Sequence, residues 1–142
     1  MTRLISGYVI ISKTGILLYS KFFHDIKMDT EKLAMFSGGI LALETFMKNA
    51  VERSIDEVIA GDWKIDFEVR ENLAIVGVLG KKYNNLTKPF AKKIADIIES
   101  NCTPSDMESP DACNKIEQLI EESGINKEII ESNKALNKLK YI

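Results

Sequence analysis

Apolar and polar positions fall into blocks of strand period and helix period along the chain. Residues 4–12 (LISGYVIIS) and 16–23 (ILLYSKFF) are dense in β-branched and apolar side chains. Lys13-Thr14-Gly15 lies between them, with Gly15 able to take positive φ, so the pair predicts an N-terminal β-hairpin. In the polar stretch that follows, Asp29 or Thr30 can accept a hydrogen bond from the free amides of a starting helix. From Glu31 to about Arg53, Leu33, Phe36, Ile40, Leu43, Met47 and Ala50 recur at spacings of three and four, one face of a long helix.

Residues 55–80 return to strand character. IDEVIAGDWKIDFEV reads as one long strand bent at Gly61, or as two strands turning at Gly61-Asp62. In Lys64-Ile65-Asp66-Phe67-Glu68-Val69 apolar residues alternate with charges, which puts one face inside and one in water. After a turn at Glu71-Asn72, LAIVGVLG is nearly all apolar, as a central strand covered on both faces requires. A second helix is predicted over about Thr87 to Ser100, with Phe90, Ile94, Ile97 and Ile98 on its apolar side. Thr87 can cap it, and Pro89 sits in its first turn, where a missing amide costs nothing.

Residues 101–111 (NCTPSDMESPD) have the composition of a linker. Two short amphipathic helices are predicted beyond it. One carries Ala112, Ile116, Leu119 and Ile120 and stops before Gly124; the other carries Ile125, Ile129, Ile130, Leu136 and Leu139. The expected organisation is a domain over 1–101, a linker over 102–111 and a helical tail over 112–142. Strands in antiparallel runs with helices between them make the fold class α+β, with a sheet of four or five strands.

Composition narrows the chemistry. One His excludes a multi-His metal site, and two Cys exclude a zinc module or disulfide framework. Cys102 and Cys113 read as free thiols of a reducing cytosol, their pairing left open. With 19 basic and 21 acidic residues the chain lacks the basic excess of a nucleic-acid binder. No run of 18 apolar residues occurs, and the N-terminal apolar run is too short and too broken for a signal peptide, so a cytoplasmic setting is expected.

Motif tests exclude more than they include. Gly80-Lys81-Lys82 follows a strand as a phosphate-loop lysine would. Yet position 75 is Ile where the motif needs Gly, and position 82 is Lys where it needs Ser or Thr. His24 stands alone in a polar loop, and Asp106, Glu108 and Asp111 lack the glycine that shapes a calcium loop, so they read as solvated acids. No nucleophile elbow is present and neither Cys has a plausible base. No catalytic residue, metal or cofactor is implied.

Two surfaces stand out. Between Glu71 and Asp96 there is no acidic residue, while Lys81, Lys82, Lys88, Lys92 and Lys93 are all present. This stretch is either a contact for an acidic partner or anionic lipid, or simply a solvated face. The other lies on the first helix. Beside its core-facing stripe, Met35, Gly39, Ala42 and Phe46 fall on an adjoining arc with Gly38 at its margin, where a surface helix ordinarily carries polar groups. Two mid-helix glycines cost about 1 kcal/mol each relative to Ala, a loss that fits a surface where another backbone comes close.

The order of elements also carries a resemblance. The strand Leu4–Ile11, the turn Lys13-Thr14-Gly15, the strand Ile16-Leu17-Leu18-Tyr19-Ser20, the long helix, Gly61-Asp62-Trp63-Lys64-Ile65 and Asn72-Leu73-Ala74-Ile75-Val76-Gly77-Val78 together resemble a longin-like domain. This belongs to the profilin-like group that also holds roadblock proteins; the direct start on a strand favours longin over roadblock. The likeness covers about residues 1–100. It implies a non-enzymatic platform that pairs with itself or with a related longin or roadblock subunit and serves a small GTPase or a membrane-trafficking complex, in the cytoplasm or at a membrane periphery. The tail keeps too few heptads for a SNARE-type coiled coil. On this view Met35, Gly38, Gly39, Ala42 and Phe46 form the pairing surface. The competing readings are that the tail folds back over the same arc with Ile116, Leu119 and Ile120, or that the glycines merely kink the helix. A small-molecule sensor of PAS or GAF type and an actin-binding profilin are the alternative functions.

Overall fold

The computed structural model describes residues 5–23, 30–71 and 73–139, with residues 30 and 136–139 described by their backbone alone. His24, Asp25, Asp29 and Asn72, and the side chains of Thr30, Leu136 and Leu139, lie outside what is described.

The hairpin forms as the pattern requires: β1 (Ile5–Ser12) pairs with β2 (Leu17–Phe22). Gly15 has φ +89° in the turn, and a Cβ there would sit 2.8 Å from the end of the Leu41 side chain, so any larger residue is strained. Helix α1 (Thr30–Val51) follows, then β3 (Glu57–Ala60) and β4 (Trp63–Val69). These are two strands turning at Gly61-Asp62 rather than one bent strand, with Ala60 opposite Trp63. Strand β5 (Ala74–Lys81) pairs with β1 on one side and β4 on the other. The sheet is antiparallel with order β2-β1-β5-β4-β3. The nearly all-apolar run 73–80 therefore occupies the centre, and the α+β class stands with five strands.

Four more helices follow among the described residues: α2 (Thr87–Asn101), α3 (Pro104–Glu108), α4 (Ala112–Ser123) and α5 (Ile125–Leu139). The segment with linker composition thus contains a helix. Thr103 opens it with a capping box, its hydroxyl accepting from the Asp106 amide while the Asp106 carboxylate accepts from the Thr103 amide. Asp106 also meets Lys115 at 3.0 Å, and its carboxyl is held below the usual range, first by the Thr103 amide and then by Lys115. It is a structural acid rather than merely a solvated one. Thr87 does not cap α2: its hydroxyl donates to buried Asp66 at 2.5 Å, with the Asn84 carbonyl at 3.1 Å, and Leu86 occupies the cap position. Gly124 ends α4 at φ 74°, the left-handed C-terminal turn.

Strand alternation divides the core between the two sheet faces. Tyr8, Ile10, Val76 and Val78 face one way, where α2, α3, α4 and α5 cover them with Ile94, Ile98, Met107, Ile116, Ile120, Ile125 and Ile129. Val9, Ile11, Phe67 and Ile75 face the other way, where α1 meets them through Leu33, Phe36 and Ile40. Polar groups tie the last helix to the sheet. The Asn133 amide accepts from the Ile5 N–H and donates to the Ile5 carbonyl, both at 2.9 Å, and the Tyr8 hydroxyl donates to Asn126 at 2.5 Å. Ile116, Leu119 and Ile120 are thus spent on the face opposite α1, and the described residues of the tail do not cover the outward arc of that helix.

Candidate functional site

Helix α1 is amphipathic in an unusual sense, because its buried stripe is partly polar. Ser37, Ile40 and Glu44 are the buried positions, while Leu43 is 39% exposed and Ala50 is exposed. The predicted core stripe is therefore rotated. The physical reason lies beyond the helix: the Glu44 carboxylate accepts the Ile55 backbone N–H at 2.6 Å, and that bond holds an acid at a buried position one turn on from Ile40, where an apolar side chain would ordinarily stand. Ser37 satisfies itself by donating to the Leu33 carbonyl at 2.8 Å.

The outward arc has the character expected of it. Met35 is 72% and Phe46 62% exposed, and Gly38, Gly39 and Ala42 are exposed between them. A Cβ built on either glycine would meet nothing within 4 Å, so among the described residues the bare patch accommodates no neighbour. The apolar surface continues past the helix. A cleft of about 230 Å³ runs between α1 and β3–β4, lined by Phe36, Gly39, Ile40, Leu43, Val58, Ile65 and Phe67. A second, of about 120 Å³, lies across Phe36 against Val9, Phe22, Ile65, Gly77 and Leu79. Edge strand β3 contributes Val58 to the first cleft, while Ile59, exposed, points to the other face of the sheet. On that strand Glu57 stands opposite Asp66, and a shared hydrogen bond raises the Glu57 carboxyl above its ordinary range.

The five lysines do not form one patch. Lys88 bonds to Asp56 at 2.5 Å and to the Phe67 carbonyl, and Lys93 pairs with Glu128 at 2.5 Å. Lys92 is exposed on α2. Lys81 instead lies 3.9 Å over the Trp63 ring and Lys82 5.6 Å from the Tyr83 ring. That aromatic pairing follows from the Trp63–Lys81 register of β4 and β5, which a linear pattern does not display.

Of the remaining candidates, Cys102 is buried and Cys113 exposed, both free, and burial raises the Cys102 thiol. Among the described residues no three His, Cys, Asp or Glu side chains gather as metal ligands, and no helix is long and apolar enough to cross a membrane. Neither protein-family models nor curated protein sequences match the chain.

Proposed function

We propose that this chain is a longin-like, non-enzymatic interaction scaffold. It pairs through the outward face of α1 with a second copy or a related longin or roadblock subunit, and serves a small GTPase or membrane-trafficking complex in the cytoplasm. The element order on which the resemblance rests supports this reading. The observation that carries it is the uncovered apolar arc of Met35, Gly39, Ala42 and Phe46, continuous with an apolar cleft. Contiguous exposed apolar surface of this kind marks contact surfaces in soluble proteins, and a two-fold pairing would set the small residues of one helix against those of another. Light scattering on the eluting wild type and on Phe46→Asp tests it. A wild-type dimer that the substitution turns into a monomer is expected; a monomeric wild type, or an unchanged dimer, refutes self-pairing through this face. Affinity capture from the native cell, with Phe46→Asp as the control, then reads the GTPase part.

A small-molecule sensor is the second reading, and one observation favours it. Glu44 is 5% exposed, and among the described residues its Oε1 meets no hydrogen-bond partner while Oε2 holds the Ile55 amide. The residue lines a cleft of about 270 Å³ with Lys13, Leu41, Thr45 and Asn49. A buried acceptor without a donor costs about 1–3 kcal/mol, and a small amine or amide would supply one. Native mass spectrometry showing a retained small molecule that Glu44→Gln loses would replace the scaffold reading; a bare chain mass refutes the sensor.

A further inference from the structure

The end of the sheet where β4 begins and β5 finishes carries a second surface, independent of the α1 face. Trp63 and Lys81 are register partners, and the Lys81 ammonium lies 3.9 Å over the indole. The chain then makes a braced turn. The Lys82 amide donates to the Asp62 carbonyl at 2.7 Å, the Asn84 amide to the Lys81 carbonyl at 2.9 Å, and the Leu86 amide to the Asn84 side chain at 2.8 Å. Asn84 is 2% exposed, so the turn is anchored from below, while Tyr83 at its apex is 65% exposed. Among the described residues the ring's recorded partner is the Lys82 ammonium alone. Lys81 and Lys82 have no ion pair among the described residues, unlike Lys88 and Lys93.

We propose that this tip is a contact for the surface of an anionic phospholipid bilayer. Amphipathic Trp and Tyr rings settle at the headgroup level, with the apolar body inward and the polar edge wet. Lysines beside them gain from the negative surface potential. A braced turn also pays little ordering cost on contact. Asp62, in the facing turn, opposes the attraction by one charge. Each lysine strengthens binding about fivefold, the two together about 30-fold, and salt weakens the attraction.

Trp63 is the single tryptophan of the chain, so its emission reports the contact directly. The full chain is titrated with vesicles of phosphatidylcholine alone and of phosphatidylcholine with phosphatidylserine, following Trp63 emission and co-sedimentation. A blue shift and pelleting only with phosphatidylserine are expected. Lys81→Gln with Lys82→Gln lowers partitioning about 30-fold by sedimentation, the readout that does not depend on the altered indole environment, and Tyr83→Ala weakens it too. Asp62→Asn strengthens it. Far-UV circular dichroism confirms each variant is folded. Absence of binding to phosphatidylserine vesicles, equal binding to both vesicle types, or full binding by the double lysine variant overturns the proposal. Phe46→Asp leaves vesicle binding by the monomer in place, which separates failure of this surface from failure of the α1 pairing.

Discussion

Replacement of Ile120 by Ala tests whether the C-terminal helices are part of the core or an appendage to it. Ile120 is 0% exposed on α4, in one cluster with Tyr8 and Val76 of the sheet and Ile94 and Ile98 of α2. Truncating a fully buried isoleucine costs about 2–5 kcal/mol, the spread depending on how far the surroundings collapse. Here the walls are a central sheet and two helices on the same layer, so little collapse is available and a loss of about 3 kcal/mol or more follows. That is a large part of the roughly 5–15 kcal/mol that holds a domain together. For a chain of this length it lowers Tm by about 10 °C. Urea unfolding is followed at once by far-UV circular dichroism, which reports the helices, and by Trp63 emission, which reports β4. Both transitions shift together by the same free energy if the tail and the sheet form one cooperative unit. A loss under about 0.5 kcal/mol, or a helical transition that moves while the Trp63 transition stays, refutes the packing argued above. By the same reasoning residues 1–101 alone keep α2 on β4 and β5 but lose Met107, Ile116, Ile120, Ile125 and Ile129 from the cluster around Tyr8, and are less stable than the full chain.

Burial, and then the neighbouring Tyr19, raise the Tyr8 phenol far above its ordinary value of 10.0. Above pH 10 the unfolded chain releases that proton while the native chain keeps it, so stability falls by about 1.4 kcal/mol per pH unit. Tyr8→Phe costs about 1 kcal/mol at neutral pH, through the lost bond to Asn126, and abolishes this alkaline slope; urea titrations between pH 8 and 11, roughly the window set by the ordinary phenol value, show equal slopes if the reasoning fails. Gly38→Ala and Gly39→Ala each raise fold stability by up to about 1 kcal/mol, since the added methyl meets nothing within 4 Å in the chain. Each also weakens self-association, and a thermal melt together with analytical ultracentrifugation separates the two effects. Stabilised variants with unchanged association would mean that the glycines admit no close neighbour.

Local pattern made some of this legible and tertiary context hid the rest. The hairpin, the central strand 73–80 and the stop at Gly124 are encoded by neighbours in the chain, through turn chemistry and apolar density, and they stand as read. The exposed arc of α1 was visible because helical periodicity places Met35, Ala42 and Phe46 together. The buried stripe, expected through Leu43, takes in Glu44 instead, because the amide that Glu44 accepts belongs to Ile55, eleven residues on. The lysines show the same limit. A run without acids in sequence is not a run without acids in space, and Asp56 and Glu128 reach Lys88 and Lys93 from 32 and 35 residues away. The stripes of α4 and α5 predicted helices but not the sheet face they pack on, since an apolar stripe carries no address. Asn126 and Asn133 hold that address through bonds to Tyr8 and Ile5.

Sheet width explains why one face stays partly open. Five strands about 4.8 Å apart span roughly 19 Å from the first axis to the last, and a helix with its side chains is about 10–12 Å across. On the face of Tyr8 and Val76, several helices share the cover and every central position is dry. On the face of Val9 and Phe67, α1 with Ile55 beside it gives the cover among the described residues, and a single helix leaves a strip of sheet on its flank. The apolar clefts meet at Phe36, on the sheet-facing side of α1, where this width mismatch places them. Gly39 lines the first cleft, where a larger side chain would add cover, while Gly38 and Ala42 stand on the outward arc beyond it. At Gly39 a loss of helix propensity coincides with a loss of cover, and in an isolated chain both only destabilise. It is consistent with a surface completed by a second molecule, whose side chains fill the strips and whose backbone occupies the space that the glycines leave bare.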